Sequence, residues 1–485
     1  MKVQLALSLV LALAPIAHGA ESGVTQIING TVIDPGAGKV MPNTTITLEG
    51  DHIAQVGEAG KKDGAKIIDA KGQFILPGYI DTHVHFFQSA DIFTRPDVVD
   101  LTSVRSYADE HAWIDRNLAD AFARYLRSGI TSVVDVGGPL WNFKVRETAN
   151  ATAKAPRVAA AGPLISSVAR PQLVLNDDPP IVKIDTPEQA REFVRKLAPH
   201  NPDYVKIWYI VAPPASPAQD GDAAAPDDSV ARAAVYRPVV HAVVEESHAR
   251  KLRVAVHATE LEAARNSVEE GADLLVHSVN DKPVDEAFVR LVKEHGTILT
   301  PTLVVFERYG RTFANRLNLT PEEKAWGNPE VIASLDVTKL PPDKVPDRIK
   351  KALAAPDAML SNIQKTYDVA LKNLKTLEDA GITIAAGTDA GNIGTIHGPS
   401  LFREFQLMKE AGLTSMQILQ STTVNAAKTF GGETGEKIGS IAPGKLADLV
   451  ILNSNPVDDI AHTSDIQTVI KDGVAYSPND LLPAR

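Results

Sequence analysis

The sequence has no cysteine among its 485 residues. This absence excludes disulfide bonds, thiolate metal ligands and a cysteine nucleophile. Beyond the first twenty residues the chain also lacks an apolar run long enough to cross a bilayer, so no membrane span is expected there. Any metal site must therefore be built from histidine, carboxylate or a modified lysine.

The sequence also has fewer positive than negative residues: 49 Lys and Arg against 60 Asp and Glu, which gives a formal net charge of −11. A surface of this sign argues against nucleic acid or an anionic membrane as a partner. The hydrophobic content of 44% is ample for a large core. We expect a soluble enzyme with a small-molecule substrate; the oligomeric state, a homo-oligomer included, is left open.

The N-terminus has the pattern of a secretory signal peptide. Lys2 provides a positive start, the run from Leu5 to Ile16 is apolar, and small residues follow at Gly19 and Ala20. The run is too short for a permanent transmembrane helix. We predict that residues 1–20 are a signal peptide and that the mature protein is exported, either periplasmic or secreted.

The two ends of the chain share one pattern, and the middle has another. Residues 21–75 and 437–485 alternate apolar and polar residues between turn signals, which predicts short strands. We expect these strands to form one small, β-sandwich-like domain built from both termini. Residues 76–436 alternate eight apolar runs with helical patterns, which predicts a (β/α)8 TIM barrel of the α/β class.

An open doubly wound sheet is the alternative fold, but it would usually carry a Gly-rich turn after its first strand, where this chain has His-Val-His. Two insertions, near residues 211–235 and 306–360, interrupt the alternation on strand-to-helix connections. Such connections lie on the catalytic face of a barrel. We therefore expect the insertions to form a substrate wall or a lid.

The most informative stretch is PGYIDTHVHF, which places His83 and His85 two residues apart in a predicted strand. Alternate residues of a strand point to the same face, so both imidazoles can reach one metal ion. Lys206 lies inside the apolar fourth strand, where a charged amine is costly to bury. Burial lowers the pKa of a lysine, and a neutral amine can react with CO2 to form a bridging carbamate.

Three further groups end later strands: His257 the fifth, His277 the sixth and Asp389 the eighth. The carboxyl ends of barrel strands lie on one face, so all six side chains should meet there. We expect two divalent metal ions, bridged by carboxylated Lys206 and a hydroxide. Nitrogen and oxygen ligands suit Zn²⁺, the expected metal, and also Mn²⁺, Co²⁺ or Fe²⁺. The predicted ligands of the first ion are His83, His85 and Asp389, and those of the second are His257 and His277.

These motifs resemble those of the amidohydrolase superfamily, in the branch with a binuclear metal centre and a carboxylated lysine. Within it the chain is most similar to the Xaa-Pro dipeptidases and imidazolonepropionase-like amidohydrolases, and His397-Gly398 after the eighth strand fits this group. The resemblance implies hydrolysis of a C–N amide bond in a dipeptide or an N-acyl compound. The matching segments are LPGYIDTHVH, the Val-Lys pair at 205–206, VHATE at 256–260, LLVHS at 274–278, GTDAG at 387–391 and the tail from STTVNAAKTFG to APGKLADLVIL.

Two other functions stay open. Glu260 follows His257 by three residues, a spacing also found in deaminases of the superfamily, so a deaminase or a cyclic amide or lactone hydrolase is the first alternative. Deaminases generally lack the bridging lysine, so the presence of Lys206 weighs against it. A non-catalytic scaffold protein is more remote, because such proteins usually lose ligands and this chain keeps all six.

The predicted mechanism uses Asp389 as the catalytic residue. As a ligand beside the hydroxide, it would take the hydroxide proton and pass it to the leaving nitrogen. The candidates for holding a substrate carbonyl or carboxylate are Tyr209, His397 and Arg170, chosen only for their places on strand-to-helix connections. A surface ion pair is an alternative role for Arg170, and packing at the barrel mouth is one for Tyr209.

Overall fold

The computed structural model describes residues 23–58, 60–211 and 228–482. The predicted signal peptide and most of the first insertion, residues 212–227, lie outside the described residues. The strands in chain order are β1 (Val24–Asp34), β2 (Lys39–Glu49), β3 (His52–Gly57), β4 (Lys66–Asp69), β5 (Phe74–Pro77), β6 (Tyr79–Val84), β7 (Ile130–Asp135), β8 (Arg157–Ala160), β9 (Leu164–Ser166), β10 (Ile181–Lys183), β11 (Tyr204–Trp208), β12 (Arg253–His257), β13 (Leu274–Val276), β14 (Ile298–Thr300), β15 (Leu449–Leu452), β16 (Ile466–Lys471) and β17 (Val474–Tyr476).

The α-helices lie between the barrel strands, in the second insertion and before the final strands. In chain order they are α1 (Tyr107–Arg127), α2 (Trp141–Asn150), α3 (Pro187–Leu197), α4 (Ser229–Ala234), α5 (Arg237–Ala249), α6 (Leu261–Glu269), α7 (Glu286–His295), α8 (Leu303–Phe313), α9 (Pro321–Trp326), α10 (Pro329–Ser334), α11 (Asp347–Ala354), α12 (Pro356–Asp379), α13 (Ser400–Glu410), α14 (Ser415–Ser421), α15 (Val424–Phe430) and α16 (Gly432–Lys437). Among the described residues, none of these helices is long and apolar enough to cross a membrane.

Strands from both ends of the chain form one eight-stranded sheet, in the order β17-β16-β15-β5-β1-β2-β3 with β4 paired to β1. The hairpin β1–β2 is antiparallel, with Ile27 opposite Ile46, and β5 pairs antiparallel with the C-terminal β15. A bridge between His52 and Leu446 links β3 to the segment before β15. The sheet therefore curls around an apolar core of its own.

Parallel strands form the centre of the molecule. β6, β7 and β8 make one run, and β10, β9, β11, β12, β13 and β14 make another. The backbone N–H of Asp203 donates to the carbonyl of Ala160 at 2.9 Å and joins the two runs. The architecture is the predicted (β/α)8 barrel, with the small β domain beside it.

Two of the predicted strands divide at a glycine. The predicted first barrel strand, the apolar run FILPGYID, breaks at Gly78. As a result β5 belongs to the eight-stranded sheet and β6 to the barrel. A Cβ at Gly78 would lie 2.3 Å from Oγ1 of Thr131, so only glycine fits at this crossing. The third, RVAAAGPLI, breaks at Gly162, whose φ is 72°; β8 then pairs with β7, and β9 pairs with β11.

The eighth strand of the barrel is also irregular. Residues 382–390 make only isolated bridges, to β14 on one side and to β6 on the other. Backbone bonds from Thr82 N to Ala386 O (3.0 Å) and from His85 N to Ala390 O (2.8 Å) nevertheless close the ring. Near the end of this segment Asp389 has a left-handed φ of 62°, which a regular strand does not accommodate.

The second insertion is a packed layer over the barrel mouth. Helices α8 to α11 bury an apolar cluster that includes Phe313, Leu335 and Ile349. The same cluster contains Ile92 and Leu101, which belong to the loop after β6. The insertion and this loop are therefore fixed against each other at the end of the barrel where the predicted ligands lie.

Candidate metal centre

The ends of the first and eighth barrel segments bring His83, His85 and Asp389 together. The Nε2 atoms of the two histidines are 3.3 Å apart. Oδ1 of Asp389 lies 3.3 Å from Nε2 of His83 and 3.1 Å from Nε2 of His85. All three side chains are buried, and their candidate ligand atoms lie within 4.8 Å of one another. A single cation could contact all three.

The other three predicted groups lie beside this triad. His257 ends β12 and His277 follows β13, and their ring centroids are 4.4 Å apart. The His277 ring centroid is also 4.9 Å from that of His83. Lys206 of β11 lines the same cavity, and its buried Nζ has no hydrogen-bond partner among the described residues. The structure thus gathers all six groups at one end of the barrel.

Neighbouring groups fix the orientation of two imidazoles. Nδ1 of His85 lies 2.6 Å from the carbonyl of Gly137, which can only accept, so this nitrogen carries the proton. Nδ1 of His277 lies 2.6 Å from Oγ1 of Thr302, whose hydroxyl donates to the carbonyl of Pro301 and therefore accepts from the ring. In both residues Nε2 keeps a free lone pair, as a metal ligand requires.

Burial adjusts the charges of the cluster. Burial lowers the pKa of His83 to about 4 and holds the pKa values of His257 and His277 well below the ordinary value, so these imidazoles are neutral near pH 7. Burial also lowers the pKa of Lys206 to about 7, against the attraction of Asp389. Burial raises the pKa of Asp389, but contacts with both histidines of the triad lower it by more. The pKa of Asp389 therefore lies well below 3.8.

A buried carboxylate joins the two segments that carry the triad. Oδ1 of Asp81 accepts from the backbone N–H of His83 at 3.2 Å and of Thr388 at 3.0 Å. Its Oδ2 accepts from the Thr388 hydroxyl at 2.7 Å. Burial raises the pKa of Asp81 to about 7. Sequence reasoning missed this residue, although an aspartate inside an apolar strand was a visible signal.

The six groups line one end of a cavity of about 410 Å³. Its remaining wall is largely apolar and includes Phe87, Trp208 and Phe306. Two guanidinium groups also line it, from Arg95 in the loop after β6 and Arg348 in α11. The cavity therefore combines a cluster of metal-ligand groups, an apolar wall and positive charge.

Two predicted substrate contacts, Tyr209 and His397, do not line this cavity. The Tyr209 ring is buried on the outer side of β11, where its hydroxyl donates to the Ala233 carbonyl rather than facing the cavity. Side chains alternate between the two faces of a strand, and Tyr209 is two residues beyond Ile207 and four beyond Val205, which point outward. Tyr209 therefore also points away from the barrel interior. His397 lies behind the cavity wall, stacked on Phe86 with ring centroids 5.7 Å apart.

Arg170 is placed at the edge of the mouth. Its Nε lies 3.4 Å from Oδ2 of Asp97, and its guanidinium lies 4.9 Å from the centroid of a Trp208 ring. Arg170 therefore makes an ion pair, which was the alternative role predicted for it. Its neighbour Trp208 lines the cavity.

Sequence reasoning missed a polar group at the mouth formed by Arg95, Tyr309 and Asn392. All three line the cavity, and both Arg95 and Tyr309 contact the Asn392 side chain. They come from three different strand-to-helix connections. No periodic pattern marks such residues, so only their general location on these connections could have suggested them.

Comparison with known proteins assigns the family. The sequence profile described as "Amidohydrolase family" matches residues 74–475. A 5'-deoxyadenosine deaminase of Methanosarcina acetivorans is 23% identical over 486 residues, covering 92% of this chain and 90% of that protein. An adenine deaminase of Clostridium botulinum is 36% identical over 104 residues, which are 20% of this chain and 17% of that protein.

Solved structures share the fold. A Xaa-Pro dipeptidase with bound methionine in its active site superposes with a TM-score of 0.67 at 24% identity, over 94% of this chain and 100% of that one. The A. niger ochratoxinase superposes with a TM-score of 0.66 at 20% identity, over 94% of this chain and 96% of that one. The fold and the profile define a barrel enzyme that hydrolyses C–N bonds. The chain belongs to the amidohydrolase family, as its motifs predicted.

Proposed function

We propose that the protein is a metal-dependent amidohydrolase that cleaves a C–N amide bond in a dipeptide or an N-acyl amino acid. The observation that carries this proposal is the meeting of six metal-ligand groups at one end of a cavity large enough for a small molecule. The positive charge of the cavity mouth supports a substrate with a carboxylate.

The donor set fits a pair of divalent cations. The buried Nζ of Lys206 lacks a hydrogen-bond partner among the described residues, which suits conversion to a carbamate that would serve as a metal ligand. Nitrogen and oxygen donors without sulfur suit Zn²⁺. When bound, the ions would supply a Lewis acid for the scissile carbonyl and an activated water. The residues that would hold them are His83, His85, Asp389, His257, His277 and carboxylated Lys206.

Asp389 is the proposed proton carrier. Its low pKa keeps the carboxylate ionised and able to accept a proton from the attacking water. The same carboxyl group would then deliver that proton to the leaving nitrogen, because it lies at the cavity wall beside both histidines of the triad. The apolar wall of Phe87, Trp208 and Phe306 would exclude other water from the reacting bond.

The charges at the mouth support an anionic substrate. Asp97 pairs with Arg95 at 2.7 Å and lies 3.4 Å from Nε of Arg170. Arg348 donates to the Val98 carbonyl and makes no ion pair with a carboxylate among the described residues. Of these three guanidinium groups, two contact the Asp97 carboxylate and the third, Arg348, has no carboxylate partner among the described residues. A substrate carboxylate would balance this local excess.

A deaminase is the second candidate, because the M. acetivorans relative that aligns over most of this chain is a deaminase. Its proton carrier would be Glu260. This carboxylate accepts from the Thr259 hydroxyl at 3.3 Å and is not part of the described cavity wall. The position of Glu260 therefore favours amide hydrolysis over deamination.

A substrate panel on zinc-loaded protein separates these candidates. Dipeptides and N-acyl amino acids should release an amino acid, which a ninhydrin or chromatographic assay detects. Adenosine-type nucleosides should release no ammonia. Ammonia from nucleosides without cleavage of any amide would replace the proposed function with deamination, and loss of amide cleavage in Asp389→Asn would support the role of Asp389.

Export is a separate part of the proposal and rests on the first twenty residues. The full-length chain should be recovered outside the cytoplasm with its N-terminus removed near Ala20. N-terminal sequencing of the mature protein tests this, and an intact Met1 on soluble cytoplasmic protein would contradict it.

A further inference from the structure

Asn392 lies three residues beyond Asp389, in the turn that follows the eighth barrel segment. Its side chain is buried, with 4% of its surface exposed. Nδ2 donates to Oδ1 of Asp389 at 2.7 Å. The oxygen that receives this bond is the one closest to Nε2 of His83 and of His85. The Asn392 amide therefore contacts the carboxylate oxygen that faces both histidines of the proposed first metal site.

The orientation of this amide is determined by its other neighbours. Oδ1 of Asn392 accepts from Nη1 of Arg95 at 2.7 Å and from the hydroxyl of Tyr309. A guanidinium can only donate, so the oxygen must face Arg95 and the NH2 group must face Asp389. The amide cannot flip without losing bonds on both sides.

Arg95 is itself fixed. Its Nε and Nη2 donate to the two carboxylate oxygens of Asp97 at 2.7 and 2.8 Å. Tyr309 belongs to α8 in the second insertion, and Arg95 belongs to the loop after β6. Two parts of the substrate wall thus converge on one carboxamide, which in turn contacts Asp389.

Asp389 needs such support because its backbone is strained. Its φ of 62° is in the left-handed region, which costs a non-glycine residue free energy unless surrounding contacts impose it. The backbone N–H of Asn392 donates to the Asp389 carbonyl at 3.3 Å, and the Asn392 side chain adds the bond to the carboxylate. Asn392 therefore restrains both the backbone and the side chain of Asp389.

We propose that Asn392 is a positioning residue that orients Asp389 and links it to the substrate wall through Arg95 and Tyr309. This inference rests on the proposed function, in which Asp389 is both metal ligand and proton carrier. A substrate that contacts Tyr309 would therefore affect the position of Asp389 through the Asn392 amide.

The test compares Asn392→Ala with wild-type protein loaded with Co²⁺. The visible absorption of bound Co²⁺ reports its ligand geometry, and chelator competition measures its affinity. We expect Asn392→Ala to change the cobalt spectrum and to lower kcat by about 10- to 100-fold, the usual effect of removing a group behind a ligand. KM for a cleaved N-acyl amino acid should change less than kcat, because Arg95 keeps both of its bonds to Asp97 when the amide is lost. Asn392→Asp should be worse, because it replaces the donor with a second negative charge.

Asn373→Ala is the matched control. Asn373 is equally buried, and its amide makes three hydrogen bonds to backbone groups, at 2.9, 2.9 and 3.0 Å, away from the cavity. Its loss should lower the melting temperature and leave the cobalt spectrum and kcat unchanged. A folded Asn392→Ala protein with the wild-type spectrum, Co²⁺ affinity and kcat would overturn the inference.

Tyr309→Phe keeps the test decisive if Asn392→Ala does not fold. It removes one hydroxyl and should shift the cobalt spectrum in the same direction by a smaller amount; an unchanged spectrum and kcat would overturn the inference. Wild-type protein that binds no Co²⁺ and cleaves no amide would instead overturn the proposed function, and the inference with it.

Discussion

Tyr125 and His397 are joined by a 2.8 Å hydrogen bond between the phenolic oxygen and Nδ1 of the imidazole. The Gln88 carbonyl lies 2.9 Å from Nε2 of His397, so Nε2 carries the ring proton and the tyrosine donates to Nδ1. Burial lowers the pKa of His397 to about 4, which keeps the ring neutral. The contact joins α1 to the loop after the eighth segment.

His397→Ala should therefore destabilise the protein and spare substrate binding. It removes two hydrogen bonds and leaves the buried Tyr125 hydroxyl unsatisfied, a cost of roughly 2–4 kcal/mol. Urea denaturation measures the loss, and KM on the folded fraction should stay within about 2-fold of wild type. A large rise in KM without loss of stability would restore His397 as a substrate contact.

Arg348→Gln should weaken the cleavage of substrates with a free carboxylate. An exposed ion pair is worth up to about 1 kcal/mol, so kcat/KM should fall by about 5-fold. The same N-acyl amino acid converted to its neutral carboxamide should be cleaved equally by both proteins. Arg290→Gln, on the exposed face of α7, is the control and should change neither rate. Equal losses for the acid and the amide would show that Arg348 does not recognise charge.

Lys206→Ala should abolish most activity and reduce the bound metal. Loss of this proposed bridging ligand should exceed the roughly 10- to 100-fold effect typical of groups behind ligands. Metal analysis and an amide-cleavage assay measure both effects, with the exposed Lys183→Ala as control.

The carbamate itself can be tested on wild-type protein. After dialysis against a chelator in CO2-free buffer, Zn²⁺ with bicarbonate should restore activity, and Zn²⁺ alone should not. Full recovery without bicarbonate would show that Lys206 acts without carboxylation.

His111 predicts a pH effect on stability. Its ring packs against Tyr107 and Trp141, and burial lowers its pKa. Below the unfolded pKa of about 6.5 the unfolded chain binds a proton that the folded protein does not, so the free energy of unfolding falls as pH drops. The effect is at most about 1.4 kcal/mol per pH unit.

Urea unfolding of metal-free protein between pH 7 and pH 5 checks this direction. His111→Gln should show a flatter dependence than wild type. Identical slopes in the two proteins would mean that His111 has the same pKa in the folded and unfolded states.

The barrel and the position of its polar cluster were predictable from the sequence, because burial patterns and strand ends follow simple periodicities. Each of Lys206, His257 and His277 is an ionisable residue in or directly after an apolar run, and parallel strands bring such positions to one face. The position of Tyr209 was predictable too: it has the same parity as Val205 and Ile207, and applying the alternation would have placed it outside the barrel.

The positions of other residues could not be read from pattern. Asn392 lies within, and His397 follows, a segment in which Asp389, Gly391 and Gly394 all have positive φ, so the chain direction there depends on tertiary contacts rather than on periodicity. Arg95 reaches the cavity from a loop that is held by a separate apolar cluster. Such placements depend on packing between segments that are distant in the sequence, and local propensity does not encode them.

The broken ladder at residues 382–390 implies that the proposed ions also stabilise the barrel. A regular barrel strand is held along both edges, whereas this segment depends on scattered bonds and on the cation that Asp389 would grip. Removal of that cation should increase local unfolding in residues 382–390 before it affects the other barrel strands. Amide hydrogen exchange would then quicken there while β11 and β12 keep their protection.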